Sequence, residues 1–161
     1  EDGSLKLIDF GCVKRFDSRF IADYGRLTNA IVASNKEKTL EFAYKIGIIH
    51  ERKLEAEEIF WKFSQVAAEP FWVETYNSGG EQDQLVWNLK SVSRELLRFP
   101  EIRSPRDLIF LHRALLGTYS MLRALKHHGE YERIRSSYVD HAIHVQEGLV
   151  SDGSKFCYMD N

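Results

Sequence analysis

Apolar residues at near-alternate positions open the chain. Leu5, Leu7 and Ile8 follow the turn pair Asp2-Gly3 and predict a short buried strand. After Gly11 the period changes to 3.6. Phe16, Phe20, Tyr24, Leu27 and Ile31 fall on one face of a first helix, with Arg15, Arg19 and Arg26 for its wet side. Gly25 costs that helix about 1 kcal/mol relative to Ala, so it marks a close contact. Asn35 is expected to end it. A second helix runs from about Lys36 through Leu40 and Tyr44 to Gly47, a C-terminal stop. Ile46-Gly47-Ile48-Ile49 is an apolar joint. The third helix opens on Glu55, Glu57 and Glu58, buries Ile59, Phe60, Phe63 and Val66, and ends at Pro70.

Phe71, Trp72 and Tyr76 form an aromatic tail, followed by Asn77-Ser78-Gly79-Gly80, which reads as the one clear flexible loop. Leu85, Leu89, Val92 and Leu96 mark a fourth helix, closed by Pro100. Ser104-Pro105-Arg106-Asp107 predicts a strong helix start: an N-cap hydroxyl, proline at the first helical position and an acid behind it. The helix so opened carries Leu108, Leu111, Leu115, Leu122 and Leu125 on one side, with small surfaces at Ala114, Gly117 and Ser120. It is expected to be the central core helix. A more polar last helix spans about Glu130 to Gly148, and a loosely ordered tail follows from Ser151 to Asn161.

This pattern predicts a mainly α fold with a short β strand or hairpin at the N-terminus. It reads as a single partial domain over 1–161, with strand and motif in 1–14, a helical body in 15–150 and a tail in 151–161. The first residue is Glu and a strand begins at once, so an upstream part is expected. A net charge of −2 gives no reason to expect a nucleic-acid partner. No apolar run approaches the ~20 residues of a membrane span. Cys12 and Cys157 lie far apart without a Cys-x-x-Cys spacing, which fits a reducing compartment better than a disulfide framework.

The chemistry concentrates at Asp9-Phe10-Gly11. The predicted strand delivers one carboxylate, Asp9, and Gly11 then frees the backbone to turn. Hard carboxylate oxygens suit Mg²⁺, and in protein kinases an Asp-Phe-Gly holds the ion that bridges the nucleotide phosphates. The plainer alternative is an ordinary strand ending in an Asp-containing turn. Other clusters have stronger plain readings. Glu55, Glu57 and Glu58 complement a helix dipole. His141 and His144, near Asp140 and Glu147, could share a helix face as ligands, but a structural metal site needs further ligands, so a solvated polar face is the better reading. His127-His128 suits a helix C-terminus, and His112 a structural hydrogen bond. Cys12, next to the motif, reads as a small buried hydrophobe.

Asp2-Gly3-Ser4-Leu5-Lys6-Leu7-Ile8-Asp9-Phe10-Gly11-Cys12-Val13-Lys14-Arg15-Phe16 resembles the metal-binding segment of the AarF/UbiB-type atypical protein-kinase-like family, whose members pass quickly from this motif into a helical lobe. Ser104-Pro105-Arg106-Asp107-Leu108-Ile109-Phe110-Leu111-His112-Arg113-Ala114-Leu115-Leu116-Gly117 is similar to a later core helix of that family. The resemblance implies the helical C-terminal lobe of a protein-kinase-like (α+β) fold. It implies that Asp9 is the Mg²⁺ ligand and that Asp9, Phe10 and Gly11 belong to an ATP site. The implied cofactors are Mg²⁺ and ATP. The implied activity is an atypical kinase or ATPase tied to ubiquinone and other isoprenoid-lipid metabolism. An isoprenoid lipid or membrane surface is an implied partner, reached through the missing part. The implied location is cytoplasmic or peripheral to a membrane, or an organelle matrix in a eukaryote.

The family's nucleotide-binding lysine, its small-residue loop and its catalytic Asp…Asn loop lie upstream of such a motif and are absent here. No catalytic residue is therefore assigned, and the chain alone is expected to be inactive. Two alternatives remain. One is a small-molecule phosphotransferase of the aminoglycoside or choline kinase type, although Val13-Lys14-Arg15-Phe16 stands where those enzymes usually carry Gly-Asp-Pro. The other is a non-catalytic helical interaction module.

Overall fold

A computed structural model describes residues 14–149 of the chain. Helices dominate: α1 (Ser18–Val32), α2 (Lys36–Ile46), α3 (Leu54–Ala68), α4 (Leu85–Leu96), α5 (Arg106–Ala124) and α6 (Tyr131–Gln146), with a 3-10 turn at Glu69–Phe71. The fold is mainly α, as the periodicity predicts. The predicted N-terminal strand lies outside the described residues. The strand pair within them lies elsewhere: β1 (Tyr76–Asn77) pairs antiparallel with β2 (His128–Gly129), placing Tyr76 opposite Gly129 and Asn77 opposite His128.

Local sequence explains the first two helices closely. Asp17 Oδ1 accepts the Arg19 and Phe20 amides at 2.9 and 3.2 Å and caps α1. Such a cap stabilises by about 1 kcal/mol. Asn35 starts α2 rather than ending α1: its Oδ1 accepts the Lys38 amide at 3.0 Å. α1 has already stopped at Val32, where the Trp72 indole donates to the Val32 carbonyl at 3.0 Å. Gly47, at φ 81°, ends α2 in the left-handed conformation that glycine adopts without strain.

The core lies where α1, α2 and α3 meet. Leu27, Ala43, Ile48, Ile49, Phe60 and Leu108 form its buried centre, with Phe20, Tyr24, Ile31 and Leu40 packed around it. α1 is the central helix, lying against both α2 and α6, while α3 packs on α4. Gly25 does mark a close contact: a Cβ there would meet Val139 Cγ1 of α6 at 3.0 Å. The apolar joint after α2 is buried and bridged, with Ile49 facing Ile102 and the Arg103 amide donating to the Ile48 carbonyl at 2.8 Å. The acids of α3 are structural here. Glu57 Oε1 accepts the Tyr44 hydroxyl at 2.6 Å, and Glu58 pairs with Lys36.

α5 departs from expectation. It is not the core helix, since Leu108 is its single buried residue. Nor does Ser104 cap it: Pro105 occupies the cap position and no side chain bonds the free amides there. The leucine face predicted a core helix because apolar spacing identifies a surface that can be buried, without identifying the partner that buries it. α2, α3 and α6 pack on α1 and α4 packs on α3, leaving most of α5 without cover. Among the described residues no helix is long and apolar enough to cross a membrane.

Candidate functional site

Asp9, Phe10 and Gly11 lie outside the described residues, as does Cys12, so their sequence assignment stands apart from the geometry. Lys14 Nζ pairs with Asp107 Oδ1 at 2.6 Å and sits 4.7 Å from the centre of the Phe110 ring. The two segments that carry the family resemblance therefore meet: the residue three positions after Gly11 is pinned to the first turns of α5. Phe16, Phe20 and Tyr24 continue from there as a run of stacked rings, with centroids 5.9 and 6.4 Å apart.

Beside this run Asp17, Arg19, Phe20, Asp23, Lys45 and Ile46 line an open cavity of 240 Å³. Its buried acid is Asp23, which receives Lys45 Nζ at 2.8 Å and Arg26 Nη1 at 3.2 Å. Arg26 reaches onward to Glu147 at 2.8 Å and Gln146 Oε1 at 2.9 Å. This network ties α1 to α2 and to the end of α6. Two ion pairs on one buried carboxylate suit Asp23 to fixing three helices together.

The densest polar centre is Asp83, in the loop before α4. Its carboxylate accepts the Gly79 amide at 2.7 Å, the Leu85 amide at 3.2 Å, and the hydroxyls of Tyr76 and Tyr119 at 2.8 Å each. Arg123 Nε lies 3.4 Å away. Burial pushes the Asp83 carboxyl up, but the bonds from Gly79, Tyr119, Tyr76 and Leu85 outweigh it and hold it below the usual aspartate value. Burial raises the Tyr76 hydroxyl to about 12, against an opposing bond from Tyr119 and with help from Asp83. Tyr119 is raised further still, by burial and then by its bond to Asp83. These shifts separate donors from acceptor, leaving the group poorly matched to proton transfer at neutral pH. Asp83 acts as a staple, joining the loop, the start of α4 and the second half of α5.

Ser78 extends the same region. It is buried, its Oγ lies 2.7 Å from the Tyr131 hydroxyl, and that hydroxyl lies 3.0 Å from His127 Nδ1. The loop expected to be flexible is therefore held at both ends: β1 pairs with β2, and Gly79 (φ 73°) lies against the Arg123 carbonyl. The sequence reading passed over Asp83, although an Asp two residues before a helical run is a recognisable amide acceptor. Its tyrosine donors, 7 and 36 residues away, carry no sequence signal.

Of the histidines, His112 is engaged in a structural contact. His112 Nε2 lies 3.2 Å from the Tyr24 hydroxyl, and burial depresses its pKa while raising Tyr24 to about 12. His144 is exposed, and Glu147 is engaged by Arg26. Among the described residues no three His, Cys, Asp or Glu side chains converge as a metal site. No protein family, curated protein or solved structure matches this chain.

Proposed function

We propose that the chain is the helical C-terminal lobe of an AarF/UbiB-type atypical kinase or ATPase that uses Mg²⁺ and ATP. The carrying observation is the segment Asp2–Phe16, in which a predicted strand ends in Asp9-Phe10-Gly11 and gives way at once to helices. The meeting of Lys14 with Asp107 and Phe110 supports the same reading, because it joins the two segments that resemble the family. The donor chemistry fits the ion: Asp9 offers hard carboxylate oxygens, and Mg²⁺ takes few protein ligands beside water and phosphate. When bound, the ion neutralises charge on the phosphate oxygens during phosphoryl transfer.

In this reading the chain's own contribution is positional. Asp9 would hold the ion, and Lys14 anchors the outgoing chain on α5. The lysine and the Asp…Asn loop that complete the family's site belong upstream, so ubiquinone or isoprenoid-lipid chemistry belongs to the whole protein. The test is Asp9→Asn in the full-length gene product, followed by Mg²⁺-dependent nucleotide binding and ATP turnover. Loss of both is expected. Unchanged turnover overturns the assignment.

A further inference from the structure

The outward surface of α5 is the least explained surface among the described residues. Phe110, Ala114, Gly117 and Met121 lie four, three and four residues apart and share one face, which Leu125 extends. Ile109 and Leu116 form a second row beside it. All of the large residues among these are exposed, Met121 by 67% and Leu125 by 72%. A Cβ at Gly117 would meet nothing within 4 Å, so the middle of the face is a shallow saddle between the bulky Phe110 and Met121. Helices apolar on nearly every side are ordinarily buried, and contiguous exposed apolar surface marks an interaction site.

Charge identifies the class of occupant. Residues 103–128 hold Arg103, Arg106, Arg113, Arg123 and Lys126 against the single acid Asp107, a net of +4 on a chain whose total is −2. Asp107 is already paired with Lys14, and Arg123 is the one cation of the five drawn inward, to Asp83. Arg106 and Arg113, seven residues apart, run between the two apolar rows. Lipid-surface helices keep their cations on the side opposite the apolar face. Here no orientation immerses both rows in hydrocarbon without also burying a guanidinium, which is costly without a partner. A protein helix can supply carboxylates at those positions, and the saddle at Ala114 and Gly117 accepts its ridge.

We propose that the outer face of α5 docks an acidic amphipathic helix of a partner protein. The apolar face of that helix covers Phe110, Gly117 and Met121, and its carboxylates meet Arg106 and Arg113. This does not depend on the nucleotide reading.

The test uses the whole 161-residue chain. The probe is a fluorescein-labelled peptide of about 20 residues with one leucine face flanked by glutamates. Controls replace every glutamate by glutamine or by lysine. Anisotropy should show saturable binding of the glutamate peptide, at least ~10-fold weaker binding of the glutamine peptide and none of the lysine peptide. Arg113→Glu and Met121→Asp should each weaken binding ~10-fold or more while keeping helicity by circular dichroism. Arg113→Gln, with an intermediate loss, keeps the test open should either variant fail to fold. Equal binding of the glutamate and glutamine peptides overturns the proposal, as do variants that bind like the parent. Preferential attachment to phosphatidylserine vesicles overturns it in favour of a membrane. Self-association in sedimentation that Met121→Asp dissolves overturns it in favour of a second copy.

Discussion

α1 and α5 both carry apolar residues at helical spacing, and they are held in different ways. α1, 15 residues long, buries Ala22, Asp23, Gly25, Leu27 and Ala30 between α2 and α6. α5, 19 residues long, buries Leu108 alone. α1 is fixed by contact along its length. α5 is fixed at points: Leu108 in the core, His112 against Tyr24, and Tyr119 with Arg123 on Asp83. Burial thus depends on which neighbours a helix meets as much as on how apolar it is. Continuous apolar packing leaves nothing to present, whereas point attachment leaves a face free.

The largest expected effect tests the first half of this contrast. Phe60→Ala removes a 5%-exposed ring from the core that α1 shares and should cost about 3–5 kcal/mol. Met121→Ala on α5 removes a side chain of similar apolar character from solvent and should cost under about 0.5 kcal/mol. Chemical denaturation of both variants checks the pair. A comparable loss at Met121 would mean that α5 is packed after all.

Asp83→Asn tests the point attachment. The amide can accept some of the donated bonds, but its nitrogen faces donors such as the Gly79 amide, and the charge that draws Arg123 is gone. Breaking such a buried network should cost about 2–3 kcal/mol. Hydrogen exchange should quicken in α5 and the loop over residues 76–84 more than in α1. The pH dependence has a fixed sign. The folded carboxyl titrates below its ordinary value of 3.8, so its contribution is full above that pH and is lost as pH falls through the lower folded value. The variant should lack that part of the acid destabilisation. Uniform acceleration of exchange in both helices would show that α5 is not separately held.

The contrast also explains what could be read from the sequence. α1 and α2 were legible because the signals are local: helical spacing of Phe20, Tyr24, Leu27 and Ile31, Gly47 as a left-handed terminator, Gly25 as a place of close approach, whereas Asn35, read as the end of α1, instead caps the start of α2. The place of α5 was not legible. Leu108 and Leu115 fall on the same leucine face of one helix, yet Leu108 reaches the core and Leu115 stands 49% exposed. Only the arrangement of other helices separates them. The Asp83 centre was hidden for a related reason: its donors come from two separated stretches, residues 76–85 and 119–123, and a tyrosine looks alike in sequence whether it packs or donates. The Asp9 assignment is of another kind, resting on a contiguous motif that requires no knowledge of packing.

The smallest expected effect concerns the middle attachment, His112. Burial lowers its pKa, so the folded state keeps the ring neutral while the unfolded chain begins to take up a proton near 6.5. A proton bound preferentially by the unfolded state favours unfolding. Stability should therefore decline as pH falls from about 7 through 6.5 and stop declining from this source below the lower folded value. Tyr24 cannot relieve the cost by ionising, because burial holds its own hydroxyl neutral beside the ring nitrogen. His112→Gln keeps an acceptor near Tyr24 without a titrating group, so it should flatten the slope between pH 7 and 5.5 at a modest cost at pH 8. Melting temperatures across that range measure it. An undiminished slope in the variant would place the titration at another group.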